Sequence, residues 1–300
     1  MAVVLDKSDK FAVVAGAIRI GIFNIMPNKV QTEAQYKALF ANSKVKVDLI
    51  WIRPTSHRSK NVDPSHLEAH YLSYQEAKCL GLDGMIITGA PIEHLPFEAV
   101  NYWEELKEVL DDICQRSVPA LFICWASQAA LYHYYGIEKK PLMEKMFGIF
   151  QHTLVKNDVL LEGEKGYLNA PHSRHTMNDV TDILEHEQLD ILLQSDEAGA
   201  FMIKDKLHPF YYISGHMEYD IEALDREYWR DVRKGLAIQL PKAYYVHNDP
   251  TKGIEDTWRE SAARLADRWL QNYLLTANGD LCREDGDNLL KRRPTAHAVV

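Results

Sequence analysis

The chain has 300 residues, a formal net charge of −9 and a hydrophobic fraction of 46%. This length can bury the core of one large α/β domain, and the acidic balance argues against a nucleic-acid-binding protein, which normally presents a basic face. Because no apolar run approaches the roughly 20 residues of a membrane-spanning helix, we expect neither nucleic acid nor a membrane among the partners of this protein.

The predicted strands and helices alternate along the chain. Strands are predicted at residues 18–25, 45–52, 84–88, 119–124 and 210–214. Helices are predicted at residues 32–41, 74–80, 102–115, 125–135, 221–234 and 256–275, and a capping-box pattern at Thr32 and Gln35 places the start of the first helix. This alternation predicts an α/β fold with a mostly parallel sheet and helices on both faces. Chemistry in such sheets gathers at the carboxyl ends of the strands.

A single domain is predicted over residues 1–278. Between about residues 136 and 193 the alternation weakens into short mixed segments with turn residues, which predicts an insertion into the same domain, beside the active site. Residues 279–300 are polar and lack helical periodicity, so we expect a flexible tail there.

The cysteine pattern indicates a reducing environment. Cys79, Cys114, Cys124 and Cys282 show no paired spacing and no C-x-x-C motif. This spacing predicts neither a disulfide framework nor a zinc site, and we expect no bound metal. A cytoplasmic location fits these cysteines best.

Cys124 is the leading candidate for a nucleophile. It follows an apolar run at residues 118–123 and precedes small helix-forming residues, a pattern that predicts a buried strand, a sharp turn and a helix. The amides that open such a helix favour the thiolate over the thiol. The alternative interpretation is a buried cysteine that packs as a small hydrophobic residue.

His216 and Glu218 are the predicted partners of this cysteine. A cysteine nucleophile usually needs a histidine base, and the base needs a group that orients it. His216 follows an apolar strand and a glycine, and Glu218 lies two residues later. In an extended segment these two side chains point the same way and can bond to each other. Two solvated polar residues are the alternative, but a cysteine at a strand end favours a catalytic triad.

The arrangement Cys…His-x-Glu on an alternating chain resembles the class I glutamine amidotransferase-like fold, a flavodoxin-like sandwich. Longer motifs make the chain similar to the homoserine O-acyltransferases, the trans-succinylases of methionine biosynthesis and their acetyl-transferring relatives. The matching segments run in order between about residues 19 and 275: NIMPNKVQTEAQ (24–35), TGAP (88–91), YWEEL (102–106), CWASQAAL (124–131), EKMFG (144–148), PHSR (171–174), GHMEYD (215–220), EYWRD (227–231), HNDP (247–250) and WR (258–259).

The resemblance implies a transferase that works through an acyl-thioester in two half-reactions. Cys124 would take the acyl group from an acyl-CoA and pass it to an acceptor hydroxyl. His216 would be the base in both half-reactions and Glu218 would orient it, while the backbone amide of Trp125 would help to hold the oxyanion. The acyl-CoA is then a co-substrate, and we expect no permanently bound cofactor. The family also implies a homodimer.

Four further residues match family positions near the site. Lys145, Ser173 and Arg230 correspond to residues that hold the amino-acid acceptor, and a guanidinium is suited to an α-carboxylate because it binds both oxygens. Solvated helix or turn residues are the ordinary alternative for these three. Lys29 matches a position where contact with the site or with a cofactor phosphate is expected.

Glu93 predicts the acyl donor. It lies on the loop expected to face the thioester, and family members with glutamate there tend to use acetyl-CoA, whereas those with glycine use succinyl-CoA. Two carboxylates about 4 Å apart repel by about 4 kcal/mol at an effective dielectric near 20, and the glutamate also fills space that glycine leaves open. The resemblance therefore implies a homoserine O-acetyltransferase that uses acetyl-CoA.

Alternatives remain open at this point. Serine is one methylene shorter than homoserine, a difference worth only about 1–3 kcal/mol in a pocket, so L-serine is an alternative acceptor and succinyl-CoA an alternative donor. A glutamine amidohydrolase would share the fold and the triad, but such enzymes usually flank the cysteine with glycines, where this chain has Phe122 and Ala126. A non-catalytic relative would usually have lost part of the triad.

Overall fold

The computed structural model of the protein describes residues 9–57 and 61–275. Within these residues no helix has both the length and the apolar character needed to span a membrane. The predicted tail at residues 279–300 lies outside the described part, as do the last residues of the predicted domain.

A nine-stranded sheet forms the centre of the fold. Its strands are β1 (Ile18–Phe23), β2 (Val47–Ile52), β3 (Gly84–Ile87), β4 (Ala120–Ile123), β5 (Lys139–Leu154), β6 (Tyr167–Asn178), β7 (Leu189–Ser195), β8 (Gly199–Asp205) and β9 (Phe210–Ile213). The order across the sheet is β2-β1-β3-β4-β9-β8-β7-β5-β6, and the first five strands in this order pair in parallel. These five strands are almost continuously buried, as expected when helices cover both faces.

Helices pack on both faces of the parallel half. They are α1 (Lys29–Phe40), α2 (Pro64–His70), α3 (Tyr74–Cys79), α4 (Trp103–Gln115), α5 (Trp125–Tyr135), α6 (Val180–Leu184), α7 (Ala223–Arg233) and α8 (Arg259–Trp269), which continues as a π-helical turn to Leu275. Side chains alternate between the two faces: Met85 and Ile87 pack with α4 and α5, whereas Ile86 packs with α1 and α8. The predicted fold class is confirmed.

The first helix begins earlier than the capping-box pattern predicts. Asn28 is its N-cap, and the Asn28 side chain accepts a hydrogen bond from the amide of Gln31. Thr32 already lies inside the helix and donates its hydroxyl to the Asn28 carbonyl, 3.0 Å away. The capping-box interpretation is wrong because an asparagine four residues upstream of Thr32 satisfies the free amides first.

Residues 136–193 continue the central sheet instead of forming short mixed segments. They contain β5 and β6, which pair in antiparallel register over most of their length, and β7, which pairs with β5. Buried and exposed residues are interspersed along β5 and β6, which explains why their sequence lacks the continuous apolar signal of the parallel strands. That this segment is an insertion into one domain stays a prediction.

Candidate active site

Cys124 lies on a sharp turn between β4 and α5. Its backbone has φ 52° and ψ −113°, a left-handed conformation that a non-glycine residue adopts at a cost of about 1–3 kcal/mol. The turn is held by the Cys124 amide, which donates to the carbonyl of Ile213 over 2.7 Å. The side chain is 5% exposed, at the end of α5 where unpaired helix amides gather. The thiol therefore sits where a nucleophile is expected.

The neighbouring strand β9 brings His216 to this turn. Ile123 pairs with Ile213 in parallel register, so the residues after both strands emerge at the same edge of the sheet. The His216 amide donates to the carbonyl of Pro171 over 2.9 Å, and its Nδ1 lies 2.6 Å from Oε1 of Glu218. A carboxylate only accepts, so Nδ1 carries the proton and Nε2 faces the Cys124 thiol, with which the ring hydrogen-bonds.

The charge balance around His216 favours a protonated imidazole. Burial by itself lowers the pKa of His216, but the carboxylate of Glu218 and the sulfur of Cys124 outweigh it, so the pKa of His216 lies well above its ordinary value. Tyr219 stacks on the ring, with the two centroids 4.2 Å apart. The arrangement supports a thiolate–imidazolium pair.

Gly89, on the loop after β3, provides room for this pair. A Cβ atom at this position would lie 3.2 Å from the Cβ of Cys124 and 3.2 Å from Cε1 of His216. These distances are shorter than ordinary van der Waals contact, so a larger residue would push the thiol and the imidazole apart. Three adjacent strand ends, those of β3, β4 and β9, thus form the site.

The three predicted acceptor residues meet at Glu227, a residue of α7. The Nζ of Lys145 lies 2.8 Å from Glu227 Oε1, and Nη2 of Arg230 lies 3.1 Å from the same oxygen. The Ser173 hydroxyl also bonds this carboxylate. Burial raises the pKa of Glu227, but Lys145, Arg230 and Ser173 outweigh it and hold the pKa below its ordinary value. Arg230 also binds both oxygens of Asp231, at 2.6 and 2.9 Å.

Sequence reasoning did not single out Glu227 as a site residue. It opens the EYWRD motif, and its spacing of three residues from Arg230 on a helix was the available signal. What the sequence could not show is the long-range approach of Lys145, on β5, to a residue 82 positions later.

Glu93 is buried on the loop after β3, with 7% of its surface exposed. It interacts electrostatically with Lys139, His175 and Tyr219. The Lys139 ammonium donates to the Leu95 carbonyl over 2.5 Å and lies 3.8 Å from the centre of a phenylalanine ring. Tyr219 interacts electrostatically with both Glu93 and Cys124.

Comparison with known proteins identifies the family. The sequence profile described as homoserine O-succinyltransferase matches residues 2–278. The chain belongs to this family. It is 45% identical over 258 residues to a homoserine O-acetyltransferase of Acetivibrio thermocellus, covering 86% of this chain and 85% of that protein. It is 43% identical over 272 residues to a homoserine O-acetyltransferase of Brevibacillus brevis, covering 90% of this chain and 89% of the relative. The protein is therefore an acyltransferase.

Solved structures agree with the fold of this acyltransferase. A glutamine amidotransferase from Thermotoga maritima superposes with a TM-score of 0.59 at 11% identity, covering 87% of this chain and 99% of that one. A glutamine amidotransferase from Methylobacillus flagellatus gives a TM-score of 0.55 at 13% identity, covering 86% and 95%. At such identities the likeness shows the fold alone, and it confirms the glutamine amidotransferase-like architecture.

Two other predicted site residues of the acyltransferase lie deeper. Trp125 is the first residue of α5, and its side chain is fully buried against Phe97, with ring centroids 5.7 Å apart. Its amide is one of those that have no acceptor within the helix. Lys29 is also buried, and its ammonium donates to the carbonyls of Asn24 and Met26 at 2.6 and 3.4 Å. Contact of Lys29 with a cofactor phosphate would require it to leave these carbonyls, and it stays a prediction.

The surroundings of Lys29 are those of a structural cation. Burial lowers its pKa to about 8, with Glu33 opposing the shift and Arg53 adding to it. The ammonium also lies 5.5 Å from the centre of the Tyr71 ring. These contacts tie the start of α1 to the end of β1.

A cleft of about 570 Å³ opens beside the acceptor residues of the acyltransferase. Gln31 of α1 lines one wall, while Arg226, Arg230 and Lys234 line the other at intervals of four residues. Glu227 lies within the same lining. The volume exceeds what a single amino acid fills, so the cleft has room for a larger substrate.

Proposed function

We propose that this protein is a homoserine O-acetyltransferase that carries the acetyl group on Cys124 as a thioester. The observation that carries the proposal is the buried contact of the Cys124 thiol with His216, which is itself bonded to Glu218 at 2.6 Å. The same three residue types support covalent catalysis by cysteine in general. Acyltransferase relatives at 41–45% identity, all named homoserine O-acetyltransferases, support the substrates.

The first half-reaction transfers acetyl from acetyl-CoA to the enzyme. His216 already holds the proton of Cys124 in the thiolate–imidazolium pair, and the thiolate attacks the thioester carbonyl to form a new carbon–sulfur bond. The negative oxygen of the tetrahedral intermediate accepts hydrogen bonds from the amide of Trp125 and from the loop that contains Gly89, donors typically worth about 2.7–4 kcal/mol each. The carbon–sulfur bond to CoA then breaks, and CoA leaves with the proton from His216.

The second half-reaction transfers acetyl to homoserine. The ammonium group of the amino acid replaces Lys145 beside the Glu227 carboxylate, and its carboxylate replaces Asp231 on Arg230. His216 takes the proton of the acceptor hydroxyl, whose oxygen attacks the acetyl carbon. The bond to Cys124 breaks, the thiolate is left paired with the protonated His216, and O-acetylhomoserine leaves.

Glu93 supports acetyl over succinyl as the acyl group. A succinyl group would bring a second carboxylate toward the buried Glu93 side chain, whose charge Lys139 already offsets. The repulsion between two carboxylates is of the order of 4 kcal/mol at 4 Å and an effective dielectric of 20. The cleft lined by Arg226 and Lys234 supports CoA as the carrier, because its phosphates are anionic.

A cytoplasmic homodimer is part of the same proposal. The exposed fractions of Trp229, Val232 and Leu236 are 40%, 38% and 56%, an apolar surface that a second copy can cover. Cys79 and Cys114 are free thiols, as expected in a reducing compartment. Light scattering checks the dimer: we expect the mass of two chains for the wild type and of one chain for Trp229→Glu.

A covalent-intermediate experiment tests the proposed function. Acetyl-CoA alone should release one equivalent of CoA and leave an acetyl group on the Cys124 peptide, and initial rates should give the parallel lines of a ping-pong mechanism. Cys124→Ala should abolish the release. Cys114→Ala is the matched control, since that thiol also lies beside an imidazole, 3.6 Å from Nε2 of His208. Intersecting lines in the initial-rate plots, without a CoA burst, would contradict the thioester mechanism.

Acetyl-CoA and succinyl-CoA, each assayed against homoserine and serine, decide the substrates. We expect the pair acetyl-CoA and homoserine to give the highest kcat/KM. A higher kcat/KM for serine would indicate that the protein acetylates serine, and it would not contradict the thioester mechanism.

A further inference from the structure

Arg174 is a buried cation without an acidic partner. It lies on β6, is 1% exposed, and donates three hydrogen bonds: from Nε to Nδ1 of His172 at 3.1 Å, from Nη1 to the Thr176 carbonyl at 2.7 Å and from Nη2 to the Ala198 carbonyl at 2.6 Å. All three acceptors are neutral, and no described carboxylate lies within ion-pair distance of this guanidinium. Burying a cation in this way is costly, so the site must gain from it.

The neighbouring histidines do not carry this charge. A guanidinium only donates, so Nδ1 of His172 accepts and its proton is on Nε2, which points at Nε2 of His152 over 3.2 Å. Burial lowers the pKa of His172 well below its ordinary value, and Arg174 adds to the shift. Both imidazoles are therefore neutral near pH 7, and the permanent positive charge belongs to Arg174.

One chain of hydrogen bonds leads from Arg174 to the turn of Cys124. The guanidinium holds the Thr176 carbonyl, and the Thr176 hydroxyl donates to Oε1 of Gln128 over 2.8 Å. Gln128 lies in the first turn of α5, where its amide donates to the Cys124 carbonyl. Displacing Arg174 would therefore weaken a contact that holds the first turn of α5, next to Cys124.

A second set of contacts leads from Arg174 to the turn of His216. The His172 ring, fixed by Arg174, packs against Gly215: a Cβ atom at position 215 would lie 3.0 Å from Cε1 and Nε2 of that ring. The residue before His172, Pro171, accepts the amide hydrogen bond of His216. Arg174 thus stands between the turn of the thiol and the turn of the imidazole.

The sulfur of Cys124 interacts electrostatically with Arg174. Burial lowers the pKa of Arg174 to about 10, and the negative charge of Cys124 opposes that shift, so the guanidinium stays charged at neutral pH. His216 and Tyr219 face the same sulfur from the turn after β9. Glu218 bonds His216, and both Glu218 and Glu93 interact electrostatically with Tyr219.

We propose that Arg174 is a positioning residue of the active centre, which holds the Cys124 and His216 turns in register and fixes a positive charge behind the thiolate. The proposal rests on the proposed function in one respect, that Cys124 is the nucleophile. It predicts two separable effects, one on the ionisation of the thiol and one on the speed of acyl transfer.

Alkylation of Cys124 by iodoacetamide, followed against pH, tests the charge. In Arg174→Met we expect the pH of half-maximal alkylation to rise by about one unit, because the thiolate loses its counter-charge. In Arg174→Lys it should stay within a few tenths of a unit of the wild type. Arg268→Met is the matched control: this arginine also binds a buried carbonyl, that of Leu160 at 3.0 Å, but lies on α8, and its loss should leave the midpoint unchanged.

The CoA burst with acetyl-CoA tests the positioning. Arg174→Lys lacks the planar fork that holds two carbonyls, so we expect its burst to slow by about tenfold or more while the KM for homoserine changes less than twofold. Thr176→Val, which breaks only the contact with Gln128, should slow the burst by several-fold with no change in the alkylation midpoint.

Several results with these variants would contradict the role of Arg174. A folded Arg174→Met protein with a wild-type midpoint and burst would overturn it. If circular dichroism shows that Arg174→Met does not fold, wild-type bursts in both Arg174→Lys and Thr176→Val would overturn it instead. A wild-type enzyme with no CoA burst contradicts the proposed function, whereas the alkylation midpoints judge Arg174 independently of acyl transfer.

Discussion

The Nδ1 of His216 and the Oε1 of Glu218 lie 2.6 Å apart, and both side chains are almost fully buried. This bond fixes the tautomer in which Nε2 faces the thiol of Cys124. Both residues lie beyond the end of β9, and residues 217 and 218 form a turn, so a turn produces this bond and not the extended segment predicted from the sequence. The distance also explains why a carboxylate persists in a buried place: the imidazolium it faces compensates its charge.

Replacement of His216 by Asn should lower kcat by about 10²–10⁴-fold, because the group that accepts and returns the proton is lost. Glu218→Gln should lower kcat by a smaller factor, since its amide oxygen can still accept a hydrogen bond from Nδ1 of His216. His133→Asn is the matched control, because His133 also bonds a carboxylate, that of Asp111 at 2.7 Å, outside the site. Steady-state rates check this, and near-normal turnover of His216→Asn would mean that another histidine is the base.

The raised pKa of His216 predicts a pH-dependent stability. A group whose pKa is higher in the folded than in the unfolded state stabilises the fold fully below its unfolded pKa, near 6.5, and this contribution is lost as the pH rises through the folded value. Urea unfolding at pH 6 and pH 9 should show a larger loss of unfolding free energy for the wild type than for His216→Asn. Equal losses in the two proteins would contradict the direction of the shift.

Gly89→Ala should slow catalysis with little effect on folding. The added methyl group would contact Cys124 and His216 at 3.2 Å, so the two must separate by a few tenths of an ångström. Small misplacements of this kind can cost about 10²-fold in rate. We expect kcat to fall by about 10–100-fold while the melting temperature changes by only a few degrees. Unchanged kcat would show that the thiol and imidazole are not in contact during the reaction.

The sequence predicted the parallel half of the fold and the proximity of Cys124, His216 and Glu218, because the signals for both are local. Each parallel strand is a short apolar run, and the run before Cys124 is enough to predict that this residue follows a buried strand. By contrast, β5 contains four lysine or glutamate residues between positions 139 and 145, because much of this antiparallel strand faces solvent. Its sequence resembles a loop, and only its partner β6 makes it a strand.

The contacts of Lys145 and Arg230 with Glu227 are likewise long-range and could not be predicted from local sequence. Lys145 and Arg230 were matched to family positions separately, yet their geometry depends on Glu227, which brings β5 and α7 together. No local pattern encodes that contact. Lys29 shows the reverse case, in which a residue matched to a site position donates its hydrogen bonds to backbone carbonyls instead.

Glu227→Gln should weaken homoserine binding and leave the first half-reaction intact. Loss of the charge removes a charge-assisted hydrogen bond to the substrate ammonium, worth about 1.5–3 kcal/mol, so we expect the KM for homoserine to rise by about 10–100-fold. The CoA burst should keep its wild-type rate. Glu222→Gln is the matched control, since that carboxylate lies at the start of α7 and pairs with Arg226 at 3.1 Å. A slowed burst in Glu227→Gln would place this residue in donor chemistry instead.

Glu93→Gly should reverse or narrow the preference for acetyl-CoA. Removing the carboxylate relieves its repulsion of a succinyl carboxylate, leaves Lys139 free to attract that group, and opens space for the longer chain. Acetyl transfer should slow more modestly, because the smaller acyl group loses a packed wall and sits less firmly. The ratio of kcat/KM for the two donors, at saturating homoserine, measures the effect.

Glu93→Gln separates charge from volume, because it keeps the size of the side chain and removes its charge. If repulsion dominates, this variant should recover most of the succinyl-CoA activity of Glu93→Gly; if volume dominates, it should resemble the wild type. Glu98→Gln is the matched control, a carboxylate that also interacts with Lys139 but is exposed and bonded to Tyr132. A wild type that already prefers succinyl-CoA, or a donor ratio that Glu93→Gly leaves unchanged, would show that Glu93 does not select the donor, and the assignment of acetyl-CoA would lose its physical basis.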